Sequence, residues 1–138
     1  AIRDFCRQTG QKLPDDEGAL VRCCLESLAL KYRWTVDRLA EITGRSAQVI
    51  HMVGGGTRNE LLCQLAADAT GLPVIAGPVE ATAVGNILMQ AMALGEISSM
   101  GEARQLVRDS FPVRMYEPQA RAPWDDVYGK FCDLVREG

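Results

Sequence analysis

Apolar residues in the first third of the chain recur with a helical period. Val21, Cys24, Leu25, Leu28 and Tyr32 fall at i, i+3, i+4, i+7 and i+11, which makes one stripe of an amphipathic helix. Asp15 or Asp16 offers that helix an N-cap, and it runs on through Leu39 and Ile42 to a closing Gly44. Ahead of it, residues 2–9 read as a short helix stopped by Gly10, and residues 11–14 as a turn.

The period then changes. Residues 49–53, Val-Ile-His-Met-Val, are short, β-branched-rich and apolar on both faces, the pattern of a strand buried inside a parallel sheet. Three glycines follow at once, then a helix over residues 58–70 with Leu61, Leu62, Leu65, Ala66 and Ala69 inward, ended by Gly71. Residues 73–76 form a second short strand, and Gly77-Pro78 a turn. A third helix covers residues 80–94 with Val84, Leu88, Ala91 and Met92 on its core side and Gly95 as its cap. Ala81, Ala83 and Gly85 are small enough to let that helix lie close to a neighbour. Residues 49–95 thus read as strand–helix–strand–helix, a βαβ unit plus a helix. Beyond it, residues 100–109 look helical, 111–117 extended and 118–123 a linker. Trp124, Val127, Tyr128, Phe131 and Leu134 then space a final amphipathic helix.

Composition narrows the function classes. With 138 residues the chain can bury one core, and 47% apolar with 24% charged residues is ordinary for a globular protein. A net charge of −3 argues against a general nucleic-acid binder. No apolar run reaches the roughly 18 residues of a membrane span. Ala1-Ile2-Arg3-Asp4 opens no apolar signal segment. The five cysteines, Cys6, Cys23, Cys24, Cys63 and Cys132, include no CxxC pair, and His51 is the one histidine, so no zinc set is expected. The odd cysteine count points to reduced thiols and a cytosolic setting. Cys6 and Cys23 sit on successive helices and can lie close, which leaves a disulfide between them open.

The chemistry-bearing spot is Val53-Gly54-Gly55-Gly56-Thr57-Arg58-Asn59. Glycines between a strand and a helix start either make a tight turn or let the backbone approach a ligand without side-chain collision. The following helix start suits a phosphate, and Thr57 or Asn59 can cap the helix or bond the ligand. A P-loop is excluded, because no Lys-Ser/Thr pair stands in place. A dinucleotide fingerprint also fails: Asn59 replaces its third glycine, and the next strand ends Ile75-Ala76-Gly77 without an acidic residue. Plain structural roles suit the other conspicuous residues. His51 belongs to a packed core or cleft edge, and Trp34 and Trp124 to packing. Asp15, Asp16, Glu17, Asp125 and Asp126 start helices, Asp68 is solvated on a polar face, and Glu80 favours its helix N-terminus.

Gly54-Gly55-Gly56-Thr57-Arg58-Asn59 resembles the adenosine-side motif G-G-[GA]-x-x-N of the FGGY carbohydrate kinases. In that family a helix, a short strand, a turn ending in Glu and a helix with Ala-x-Gly follow. Here they are matched by Leu61-Leu62-Cys63-Gln64-Leu65-Ala66-Ala67-Asp68, Gly71-Leu72-Pro73-Val74 and Glu80-Ala81-Thr82-Ala83-Val84-Gly85-Asn86. Many members carry Arg-Pro before the variable turn and Gly-Ala where this chain has Gly85-Asn86. The wording Val74-Ile75-Ala76-Gly77-Pro78-Val79-Glu80-Ala81 therefore marks one branch.

The resemblance covers residues 2–118. It implies an α/β fold, the C-terminal portion of an actin-like, ribonuclease-H-like ATPase domain lacking its first strands. On that reading residues 1–118 belong to the family's C-terminal domain, with the nucleotide-binding unit at 49–95, and residues 119–138 to a C-terminal helix. It implies ATP and Mg²⁺ as cofactors, with metal ligands mainly outside this sequence, and transfer of the γ-phosphate to a ketose hydroxyl. Gly54, Gly55, Gly56, Thr57 and Asn59 are the nucleotide-binding candidates, Gly55 foremost. The family's Asp base, phosphate loop and most sugar contacts belong to upstream segments, and no Asp here matches that base. No catalytic residue and no metal ligand is therefore assigned. Another sugar kinase of the family, or a non-catalytic nucleotide-binding module, stays open as an alternative.

Overall fold

A computed structural model describes the backbone of residues 1–137 and the side chains of residues 1–135. The elements are α1 (Ile2–Gln8), α2 (Glu17–Thr43), β1 (Ile50–Met52), a 3-10 turn (Gly55–Arg58), α3 (Glu60–Thr70), β2 (Val74–Ala76), α4 (Ala81–Ala93), α5 (Met100–Ser110), β3 (Arg114–Tyr116) and α6 (Ala122–Glu137). Local chemistry sets their ends. The Asp16 carboxylate accepts from the Ala19 N–H at 2.6 Å to open α2, and Gly44 closes it in the left-handed region at φ 67°. Ser99 opens α5 by accepting from the Glu102 N–H, and Glu102 reaches back to the Ser98 N–H and hydroxyl.

The sheet has the order β1-β2-β3. β1 pairs with β2 in parallel, Ile50 opposite Val74 and Met52 opposite Ala76, while β3 runs antiparallel to β2 with Tyr116 opposite Val74. The extended reading of residues 111–117 thus becomes a third strand. β1 is shorter and less buried than the apolar run suggests: His51 and Val53 are exposed, because among the described residues only β2 flanks the strand and α4 and α5 cover its second face loosely, around a groove.

α3 is the centre of the molecule. Toward the sheet, Cys63, Ala66 and Ala67 pack with Val74 and Ala76 under Tyr32, Ile50, Met52 and Tyr116. Toward the other helices, Leu65 and Ala69 join Ala29, Leu30 and Trp124, with Leu25, Tyr128 and Phe131 against them. Alanines on both faces of α3 allow α2 and the sheet to approach closely; larger residues there would overpack the layer. Of the α2 stripe, Leu25 and Tyr32 pack inward, whereas Val21, Leu28, Leu39 and Ile42 are exposed. Leu61, in the first turn of α3, is exposed as well.

Asp68 is a correction. It is buried, accepting from Gln64 Nε2 at 2.9 Å and from the Gln119 N–H at 2.7 Å, so it ties the segment before α6 to α3 instead of facing water. α6 is held by polar contacts too. Tyr128 donates to Asp37 at 2.6 Å, Arg33 lies over the Tyr128 ring at 4.0 Å, and Arg33 pairs with Asp125 at 2.7 Å. The Arg33 guanidinium holds the Asp125 carboxyl below the usual carboxylate range.

The second face of the sheet is open. α4 and α5 stand over it around a groove of about 800 Å³ lined by His51, Ile75, Leu88, Met92, Val107 and Val113. Val84, Leu88, Ala91 and Met92 are only half-buried, and α4 buries no residue fully. A Cβ built on Gly85 meets nothing within 4 Å, so the close neighbour expected for Ala81, Ala83 and Gly85 is absent among the described residues. All five cysteines are free thiols, Cys6 and Cys23 included. Among the described residues no helix is long and apolar enough to cross a membrane.

Candidate functional site

The glycine turn leaves the end of β1 and enters α3. Gly54 bends the chain at φ 81° and ψ −166°, a conformation essentially reserved for glycine. Its N–H donates to the Pro78 carbonyl at 3.2 Å, and the Gly77 N–H donates to the Met52 carbonyl at 2.9 Å. These two bonds lay the turn after β1 beside the turn after β2. Thr57 closes the 3-10 turn, its hydroxyl donating to the Gly54 carbonyl at 2.7 Å and its N–H to the same oxygen at 3.1 Å. Asn59 caps α3, its Oδ1 accepting from the Leu62 N–H at 3.0 Å, which leaves its Nδ2 as a donor toward solvent.

The three glycines are unequal. Gly54 needs its left-handed backbone. Gly55 and Gly56 lie outside that region, and a Cβ on either meets nothing within 4 Å. Neither is a glycine because this chain's own packing requires it. By contrast, a Cβ on Gly77 would come to 3.0 Å from the Pro112 carbonyl, so that glycine serves the fold.

Beneath the turn lies Cys63, fully buried, its Sγ 3.6 Å from Met52 Sδ and 3.9 Å from the Thr57 carbonyl. Burial pushes the Cys63 thiol up, so it stays protonated and supports the turn as a small apolar group. At the rim, Arg58 Nη2 is 3.8 Å from Glu80 Oε1, and Arg114 pairs with Glu60 to tie β3 to the first turn of α3. The structure therefore gathers Gly54, Gly55, Gly56, Thr57 and Asn59 on one surface, with Glu80 across from them. His51 stays apart, in the groove under α4. Sequence reasoning missed two features: the support from Cys63 and the Arg58–Glu80 pair. The cysteine's position on the buried side of an amphipathic helix was the available signal for the first. For the second there was none, since the partners come from separate turns.

Chemically this surface offers backbone and amide hydrogen-bonding groups. The Thr57 hydroxyl is engaged with the backbone, and the turn carries no base or nucleophile poised for reaction. Among the described residues no group of three His, Cys, Asp or Glu side chains is placed to hold a metal ion.

Residues 1–94 match the C-terminal domain of the FGGY family of carbohydrate kinases, and the chain belongs to that family. The relatives it resembles include rhamnulokinases: that of Bacteroides thetaiotaomicron is 48% identical over 136 residues, covering 99% of this chain and 28% of the relative. That of Bacillus subtilis is 46% identical over 118 residues, covering 86% of this chain and 24% of the relative. The chain thus spans about a quarter of the length of these relatives. Among solved structures, gluconate kinase from Lactobacillus acidophilus superposes with a TM-score of 0.71 at 16% identity, over 88% of this chain and 25% of that one. Xylulose kinase from Rhodospirillum rubrum gives 0.62 at 20% identity, over 93% and 26%. The architecture fits the C-terminal part of the actin-like ATPase fold.

Proposed function

We propose that this chain forms the adenosine-side wall of the nucleotide site in an ATP-dependent sugar kinase whose acceptor is L-rhamnulose. The observation that carries the nucleotide reading is the state of Gly55 and Gly56: no left-handed backbone and no neighbour within 4 Å explains their lack of a side chain. A ligand approaching the backbone does explain it. Gly54, Thr57 and Asn59 shape the same surface, and the Asn59 Nδ2 is a donor within it. The sugar assignment rests on the rhamnulokinase relatives and on the branch wording from Val74 to Ala81 closed by Gly85-Asn86.

In the intact enzyme Mg²⁺, held mainly by residues outside this sequence, would supply charge neutralisation on the transferring phosphates. The acceptor 1-hydroxyl loses its proton to an Asp that the family resemblance assigns upstream. This chain orients the nucleotide and keeps its adenosine half fixed, in a cytosolic enzyme. A phosphorylation assay on the full-length protein with MgATP tests the reading, comparing L-rhamnulose with L-fuculose, D-xylulose and glycerol. L-Rhamnulose is expected to give the highest kcat/KM, and the 138-residue chain by itself no turnover above buffer. Preference for another acceptor overturns the sugar assignment. Turnover by the short chain overturns the division of labour.

A further inference from the structure

Every polar side chain of the glycine turn but one has its main hydrogen-bonding role filled from within the fold. The Thr57 hydroxyl donates to the Gly54 carbonyl, Asn59 Oδ1 caps α3, and Glu60 is paired with Arg114. Arg58 is the exception. It is the only basic residue from Val53 to Glu60, it is about three-quarters exposed, and its contact is a 3.8 Å approach to an equally exposed Glu80. That distance is at the outer limit of an ion pair, and both groups are solvated, so the pair contributes little to stability and exchanges readily. Glu80 opens α4 at the end of the turn whose Pro78 carbonyl accepts from Gly54, so the pair sits across the mouth of the surface where Gly55 and Gly56 lie bare.

We propose that Arg58 is a nucleotide-binding residue of this site, held by Glu80 while the site is empty and exchanging Glu80 for a phosphate oxygen when a nucleotide enters. The inference rests on the nucleotide reading of the glycine turn. A guanidinium bonds a phosphate through two parallel N–H groups and more strongly than it holds one solvated carboxylate oxygen. Glu80 has the opposite effect: its charge repels the entering phosphate and competes for Arg58.

The two partners therefore carry opposite signs, which a merely structural pair does not. Calorimetric titration of the full-length protein with ATP, ADP and adenosine tests this. Arg58→Gln is expected to weaken ATP about tenfold, Arg58→Lys to recover part of that loss, and Glu80→Gln to tighten ATP about threefold. With adenosine, which has no phosphate, all three variants should bind as the parent does. If Arg58→Gln and Glu80→Gln shift ATP in the same direction, the pair is a structural latch and the proposal is overturned. It is equally overturned if adenosine responds as ATP does, or if neither variant changes ATP binding. Gly55→Val, titrated alongside, separates the two levels. Loss of ATP binding there, with Arg58 and Glu80 silent, leaves the glycine turn as the nucleotide site and removes Arg58 from it. Unchanged binding in Gly55→Val removes the underlying reading itself.

Discussion

Replacing Gly55 by valine separates ligand approach from fold. A Cβ at Gly55 meets nothing within 4 Å, and its backbone lies outside the left-handed region. A β-branched residue there meets no backbone strain, because the positive-φ position is Gly54 at φ 81°. Gly55→Val should therefore leave stability within about 0.5 kcal/mol. Its cost should fall on ATP. Pushing a nucleotide away from the turn loses one or two neutral hydrogen bonds to its adenosine half, each worth about 1 kcal/mol. At about 1.4 kcal/mol per factor of ten, that is roughly 5- to 30-fold in kcat/KM for ATP. Gly54→Val is the counterpart. It forces a side chain into a glycine-only conformation with the Val79 carbonyl 4.0 Å from the new Cβ, and should cost about 1–3 kcal/mol of stability. Melting curves and ATP kinetics on both variants of the full-length protein decide the matter. If Gly55→Val keeps its ATP kcat/KM within about twofold, or melts as low as Gly54→Val, the glycines return to being a plain turn.

Two further outcomes follow from the packing. Burial and the hydrogen bond to Asp37 push the Tyr128 phenol up, so the folded state holds that proton more tightly than the unfolded chain. The associated stability is complete below the ordinary tyrosine value of 10.0 and is lost as pH rises through the folded value. Tyr128→Phe should cost about 1–2 kcal/mol at neutral pH and flatten the alkaline decline, and melts at pH 7 and above pH 10 check both. The second outcome concerns β1, whose Ile50 N–H and Met52 carbonyl bond toward β2, so the backbone groups of His51 face the open edge. An unpaired edge on a small sheet invites another strand, so the 138-residue chain by itself is expected to self-associate, and the longer protein to cover that edge with upstream residues. Sedimentation with circular dichroism tests it, and a monodisperse, cooperatively melting monomer with a bare β1 edge refutes it.

The sequence pattern was legible on one side of the sheet and misleading on the other, and the division has a physical cause. On the α3 side, caps and turns agree with the structure, and the period does so for Leu25, Tyr32, Leu65, Ala66 and Ala69 but not for Val21, Leu28, Leu39, Ile42 and Leu61, which are exposed. Asp16 and Asn59 cap their helices, Gly44 and Gly71 close theirs, and Leu65, Ala69 and Trp124 meet in one core. The Asp68 error was local: a carboxylate is assigned to water unless its partners can be seen, and here one donor is the backbone of Gln119, 51 positions away. On the far side the errors share a direction. The strand over residues 49–53 was expected to be buried on both faces, and Ala81, Ala83 and Gly85 to have a close neighbour; α4 does turn Val84, Leu88, Ala91 and Met92 inward, but they are only half-buried. A glycine inside a helix costs about 1 kcal/mol relative to alanine, yet Gly85 has open space where its side chain would be. Hydrophobic patterning records whatever a surface finally packs against, and it does not record whether that partner lies within the same 138 residues. Gly55, Gly56 and Gly85 belong to one argument: each is a glycine that the described packing does not require. The first two lie on the turn proposed to meet the nucleotide, and the third on the α4 groove that nothing among the described residues fills.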